Sequence, residues 1–82
     1  MLKIKDNVDL KELKRFGFKH IPKQRGIYEH YEYATKREGD FYPMLRCYVY
    51  CEDRRIGVNT NEIDILFDLI QAGLVEKVVE DE

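Results

Sequence analysis

Few residue types in this chain could do chemistry, and their spacing decides how far each can go. His20, His30, Cys47 and Cys51 are zinc-ligand types. A zinc ion wants four donors at ~2.0–2.3 Å, whereas a C-x-x-x-C pair drawn out along a strand diverges, four residues of strand spanning roughly 13 Å. That span also exceeds the ~4.4–6.8 Å Cα separation of a disulfide. Both cysteines are therefore expected to be free thiols acting as small buried hydrophobes, and no metal site is predicted. Asp64 and Asp68 stand four apart, and Glu52 and Asp53 are adjacent. Paired carboxylates do acid–base work only in a pocket that shifts their pKa values. The dipole of a helix accounts for Asp64 in its first turn, and a polar helix face accounts for Asp68. The chain has no serine, so a Ser nucleophile is excluded. Its five glycines are scattered singly, so no phosphate-cradling loop is present. No catalytic residue and no cofactor is predicted, and the expectation is a protein that is not an enzyme.

What stands out instead is tyrosine. Tyr28, Tyr31, Tyr33, Tyr42, Tyr48 and Tyr50 crowd between positions 28 and 50. Cross-strand tyrosine pairs are good sheet formers, which is the plain reading. The functional reading is an exposed aromatic platform, with Tyr31, Tyr33, Arg46, Tyr48 and Tyr50 as the candidate partner-binding residues. Such a platform suits a protein partner or self-association, because Tyr is enriched at binding hot spots. It also suits single-stranded nucleic acid, whose bases stack on aromatic rings; Arg46, His30, Lys36 and Arg37 would then meet phosphates.

These residues must be positioned by local elements. In VDLKELKRFGF (8–18), Asp9 is a good N-cap, Glu12 has capping-box spacing, and Val8 with Leu13 has staple spacing. Gly17 is placed to close the helix with Phe18 folding back onto Leu13. A helix is predicted over 9–16. In NEIDILFDLIQAGL, Asn59, Thr60 or Asn61 can cap a second helix, Asn59 pairing with Glu62 as a capping box. Ile63, Leu66, Phe67 and Ile70 make its stripe, widened by Ile65 and Leu69. Gly73 ends it, with Leu74 placed to contact Leu69.

Between the helices the apolar period becomes two. GIYEHYEYAT (26–35) reads as a strand. MLRCYVYC (44–51) places Leu45, Cys47, Val49 and Cys51 on one face and Met44, Arg46, Tyr48 and Tyr50 on the other. RIGVN (55–59) returns across an EDRR turn as a hairpin. LKIKD adds a short edge strand, and Val75, Lys77 and Val79 alternate as a last one. The predicted fold is a single α+β domain over residues 1–82. It is a small antiparallel sheet of three to five strands with two helices packed on one face, in the order (β)-α-β-β-β-α-β. A meander with one apolar face needs such a cover.

KIKDNVDLKELKRFGF and LFDLIQAGLVEKV resemble the ends of small uncharacterised proteins found in phages and prophages of Gram-positive bacteria. The resemblance implies an accessory protein of a phage or mobile element, and it assigns no functional residue.

Composition agrees with a folded chain: 82 residues, 44% hydrophobic and 37% charged. Ten aromatics argue against disorder. No apolar run is long enough to span a bilayer, and MLKIKDNV lacks the apolar segment of a secretory signal. A soluble protein of the bacterial cytoplasm is expected. Residues 1–37 carry ten basic against five acidic side chains, and residues 38–82 carry four against eleven. The leading expectation is a non-enzymatic protein-binding protein using the tyrosine-rich sheet face. The alternative is a nucleic-acid-binding module using the basic N-terminal half with Tyr stacking, against which net charge and the lack of a known motif weigh.

Overall fold

The structure, a computed structural model, describes residues 1–59 and 63–79. The first helix starts where its cap predicts. Asp9 has an extended backbone (φ −72°, ψ 123°), and its Oδ1 accepts from the Lys11 N–H at 2.9 Å. The segment Leu10–Phe16 winds as a 3-10 helix, not the α-helix expected. Its first bond, from the Glu12 N–H to the Asp9 carbonyl at 2.9 Å, already spans three residues rather than four. The reciprocal half of the capping box gives way to a closer partner, because the Glu12 carboxylate accepts from Arg15 at 2.8 Å. The helix closes as its sequence predicts. Gly17 takes φ 93°, its N–H reaches the Lys14 carbonyl, and the Phe18 N–H reaches the Leu13 carbonyl at 3.2 Å. This is a Schellman ending, and it drives Phe18 into the core.

The chain starts with β1 (Leu2–Ile4) and, after the 3-10 helix, forms β2 (Lys19–Ile21), a strand the sequence pattern did not disclose. Then come β3 (His30–Thr35), β4 (Met44–Tyr50), β5 (Ile56–Val58), helix α1 (Asp64–Gln71) and β6 (Val75–Lys77). An α+β architecture is thus formed, with one more strand than the expected order. β3 starts four residues later than expected because Gln24 and Ile27 exchange backbone hydrogen bonds around Arg25–Gly26, with Gly26 at φ 80°. The strands form two antiparallel sheets, β2-β3-β4-β5 and β1-β6. The N-terminal strand therefore pairs with the C-terminal one, and Lys3 meets Glu76 across them at 3.6 Å. A bridge between Lys3 and Arg55 joins the small sheet to the β5 edge. Arg54, at φ 64° in the β4–β5 turn, donates from Nη1 to the carbonyls of Lys5 and Val8 and ties the N-terminal segment down.

One core joins the inner face of the larger sheet to both helices. It consists of Tyr31, Cys47 and Val49 from the sheet, Leu13 from the 3-10 helix, Ile65 and Leu69 from α1, with Ile4 and Phe18. Each fully buried Leu contributes about 1.5–3 kcal/mol by leaving water. The α1 stripe is rotated from the one expected. Ile65 and Leu69, four apart, are its buried line; Leu66 is half-buried, and Ile63, Phe67 and Ile70 stand exposed. The helix carries more apolar positions than the core has room to cover, so the pattern alone could not select the buried line. Of the expected caps, Thr60, Asn61 and Glu62 lie outside the described residues, and Asn59 donates its N–H to the Arg46 carbonyl. α1 is preceded by Ile63, without a side-chain cap. Its end repeats the Schellman pattern: Gly73 at φ 76°, and the Leu74 N–H on the Leu69 carbonyl at 3.2 Å.

Candidate functional site

The predicted partner-binding residues separate onto two faces. Tyr31 pairs with Val49, and Tyr33 with Cys47, so both tyrosines share the core side. Tyr31 is only 6% exposed, with the His20 ring 5.0 Å away. Tyr33 packs 5.6 Å from Phe18 and lies against Gly17, where an added Cβ would stand 3.0 Å from its Cε2. Neither joins the platform expected of them, because residues directly opposite in an antiparallel ladder point to the same face.

Tyr48 and Tyr50 do look outward. They pair with Glu32 and His30, and their rings meet edge to face at 5.2 Å. Tyr48 lies flat over Gly57, its partner on β5, so closely that a Cβ there would overlap Cζ, Cε2 and Oη of the ring. That glycine is what lets the ring settle onto the sheet. Tyr28 adds a second edge-to-face contact to Tyr50 at 6.5 Å.

Leu45 belongs to this face too, against the parity expected of it. The ladder slips between Tyr33 and Ala34: Tyr33 pairs with Cys47, but Ala34 pairs with Leu45. Arg46 is left as the extra residue of a β-bulge, which resets the alternation beyond it. Leu45 is consequently 44% exposed. With Ile27, Tyr28, His30, Tyr48 and Tyr50 it lines a shallow hollow of about 340 Å³.

Arg46 is committed elsewhere. Its Nη2 donates to Asp40 Oδ2 at 2.9 Å and its Nε to Thr35 Oγ1 at 3.1 Å, with the side chain 11% exposed. It anchors the loop between β3 and β4 instead of offering a charge to a ligand. Acidic side chains border the tyrosine face, and Lys23 shares the adjoining cleft with Tyr28 and Tyr50. Glu32 stands opposite Tyr48, and Asp53 follows in the turn. Burial, then the neighbouring Tyr48 hydroxyl, then Asp53 push the Tyr50 phenol above its ordinary value.

Beside Tyr28 and Tyr50, at the end of the sheet where β3 begins and β4 stops, three side chains converge. His20 on β2, Glu29 before β3 and Cys51 after β4 bring one donor atom each within 4.8 Å of one another. His20 Nε2 lies 2.7 Å from Glu29 Oε2. The backbone sets this meeting, for the Cys51 N–H donates to the Glu29 carbonyl at 3.1 Å and His20 pairs with Tyr31. Cys51 is half-buried in the turn rather than sealed in the strand. With Glu29, Lys23, Tyr28, Tyr50 and Glu52 it lines an open cleft of about 600 Å³. Burial and the Glu29 carboxylate push its thiol up, with Arg54 opposing. Of the ligand types noted in the sequence, His20 and Cys51 come together, whereas Cys47 is buried in the core with its thiol pushed up to about 12. His30 Nδ1 is engaged by the Tyr28 carbonyl at 2.7 Å. Glu29 carried no signal in the sequence, because only the register of three strands brings it to His20.

Comparisons of the chain with protein-family models, curated proteins and solved structures returned no match. Among the described residues no helix is long and apolar enough to cross a membrane.

Proposed function

We propose that this is a non-enzymatic binding protein which captures a protein partner on the outer, tyrosine-rich face of its four-stranded sheet. In this reading it is an accessory protein of a phage or mobile element acting in the bacterial cytoplasm, as the resemblance of its two ends implies. The observation that carries the reading is the hollow lined by Tyr28, Leu45, Tyr48 and Tyr50. Tyr28 is 71% exposed and Leu45 44%, and contiguous exposed apolar surface of this kind marks interaction sites. The tyrosines are held by one another and by Gly57. They therefore present area to a partner at little entropic cost on binding.

The charges favour a protein over a nucleic acid. Glu29, Glu32, Glu52 and Asp53 border the aromatic face or the adjoining cleft against one lysine, Lys23, and Arg46 is taken up by Asp40. A phosphate backbone would meet carboxylates at the rings on which its bases should stack.

The test uses the wild type, Tyr28→Ser with Tyr50→Ser, and Phe67→Ser as baits in bacterial lysate before and after nuclease treatment. Phe67 is exposed on α1, which packs on the opposite side of the sheet. The expected result is a protein retained by the wild type and Phe67→Ser but lost from the double variant, with retention persisting from 50 to 200 mM salt. A contact with 6–10 phosphates would lose roughly 10³–10⁵ in affinity over that range. Equal retention by all three baits, or loss on nuclease treatment, overturns the reading.

A further inference from the structure

His20, Glu29 and Cys51 come from three separate segments and place an imidazole nitrogen, a carboxylate oxygen and a thiol sulfur within 4.8 Å of one another. We propose that these three side chains bind a divalent cation of the zinc class, with the fourth coordination position open toward the cleft.

The donor set selects the metal. Calcium and magnesium call for six or more oxygens, and this group offers one carboxylate. Zinc is borderline-soft and takes nitrogen, sulfur and oxygen together in a tetrahedral shell. Ligands at ~2.0–2.3 Å from a tetrahedral ion stand roughly 3.5 Å from each other. The His20–Glu29 separation of 2.7 Å therefore has to open by less than an ångström, and the remaining separations lie below 4.8 Å. A cation would replace the hydrogen bond between ring nitrogen and carboxylate.

The fold meets most of the cost of assembly. Glu29 and Cys51 are fixed to each other by a backbone hydrogen bond, and His20 is fixed by the β2–β3 ladder. Binding needs side-chain adjustment only, without folding a loop around the ion. The position left open is that of a site with three protein ligands and an exchangeable fourth. Glu29 and Cys51 both line the 600 Å³ cleft, with Lys23 and Glu52. Tyr28 and Tyr50 line this cleft and the tyrosine hollow alike, so an ion here would brace the edge of that hollow. The site stands independently of whether a partner binds the tyrosines.

The experiment titrates reduced, chelator-treated protein with Co²⁺ and then Zn²⁺. One equivalent of Co²⁺ should give thiolate charge-transfer absorption and the visible bands of tetrahedral cobalt, and Zn²⁺ should bleach both. His20→Gln and Cys51→Ser should each weaken Zn²⁺ binding at least tenfold, and Cys47→Ser should leave it unchanged; circular dichroism of each variant establishes that it is folded. On the wild type itself, Zn²⁺ should slow alkylation of Cys51 at least tenfold. Absence of thiolate charge transfer, an unchanged Cys51 alkylation rate, or folded variants that bind within twofold of the wild type overturns the proposal.

Discussion

Gly57 and Tyr48 provide the sharpest test of the outer sheet face. Gly57 has no positive φ. An alanine there should ordinarily stabilise by about 0.4–1 kcal/mol, through loss of freedom in the unfolded chain. In this protein the new Cβ overlaps Cζ, Cε2 and Oη of Tyr48. The ring must swing off the sheet and give up its contact with Tyr50, and such overpacking costs about 1–3 kcal/mol. Gly57→Ala in the wild-type background should therefore lose about 1 kcal/mol net. In a Tyr48→Ser background the obstruction is gone, and the same change should gain the full 0.4–1 kcal/mol. The coupling between the two positions is then about 1–3 kcal/mol, well outside the ~0.5 kcal/mol within which independent sites add. Urea unfolding of the four proteins, followed by far-ultraviolet circular dichroism, measures it. Near-ultraviolet dichroism should report the displaced tyrosine in Gly57→Ala alone. Additivity within about 0.5 kcal/mol would refute the placement of the Tyr48 ring on Gly57, and with it the pre-ordering of the tyrosine face.

Two further expectations concern the core. Leu69→Ala should cost about 2–5 kcal/mol, because Leu69 is fully buried, whereas Phe67→Ala should cost under about 1 kcal/mol, because Phe67 is 55% exposed; equal losses on urea unfolding would mean that α1 presents a different face to the sheet. The Cys47 thiol, pushed by burial from 9.0 to about 12, keeps its proton in the native state while the unfolded chain releases it above pH 9. The unfolded state then binds fewer protons, so this contribution is complete below pH 9. It falls between pH 9 and 12 by up to about 1.4 kcal/mol per pH unit. Wild-type stability should fall more steeply than that of Cys47→Ala in that window, and parallel curves would show that the thiol is not desolvated.

The parts of this fold that could be read from the sequence are those fixed by contacts within a few residues. Gly17 with Phe18, and Gly73 with Leu74, announce Schellman endings, and both form. Asp9 announces a cap, and its side chain accepts from Lys11. The parity of Cys47, Val49, Tyr48 and Tyr50 also holds, because a strand alternates for as long as its ladder stays in register. What escaped the sequence depends on partners distant along the chain. The bulge at Arg46 turns Leu45 to the tyrosine side, and nothing within MLRCYVYC marks it. The pairing of Tyr31 with Val49 and Tyr33 with Cys47 sends two predicted surface tyrosines to the core side, a fact of register and not of composition. β2 is only three residues long and carries no run to detect, yet without it His20 has no fixed place. The cysteine spacing likewise did not disclose the cluster of His20, Glu29 and Cys51. Along one strand Cys47 and Cys51 diverge, as expected, so the zinc-type residues looked scattered. Cys51, half-buried against the core at the start of the turn after Tyr50, is held by its bond to the Glu29 carbonyl within reach of the β2 histidine. A cluster of donor side chains assembled across three strands leaves no spacing signature in the chain. Its members are recognisable only after the register that pairs His20 with Tyr31 and Tyr31 with Val49 has been established.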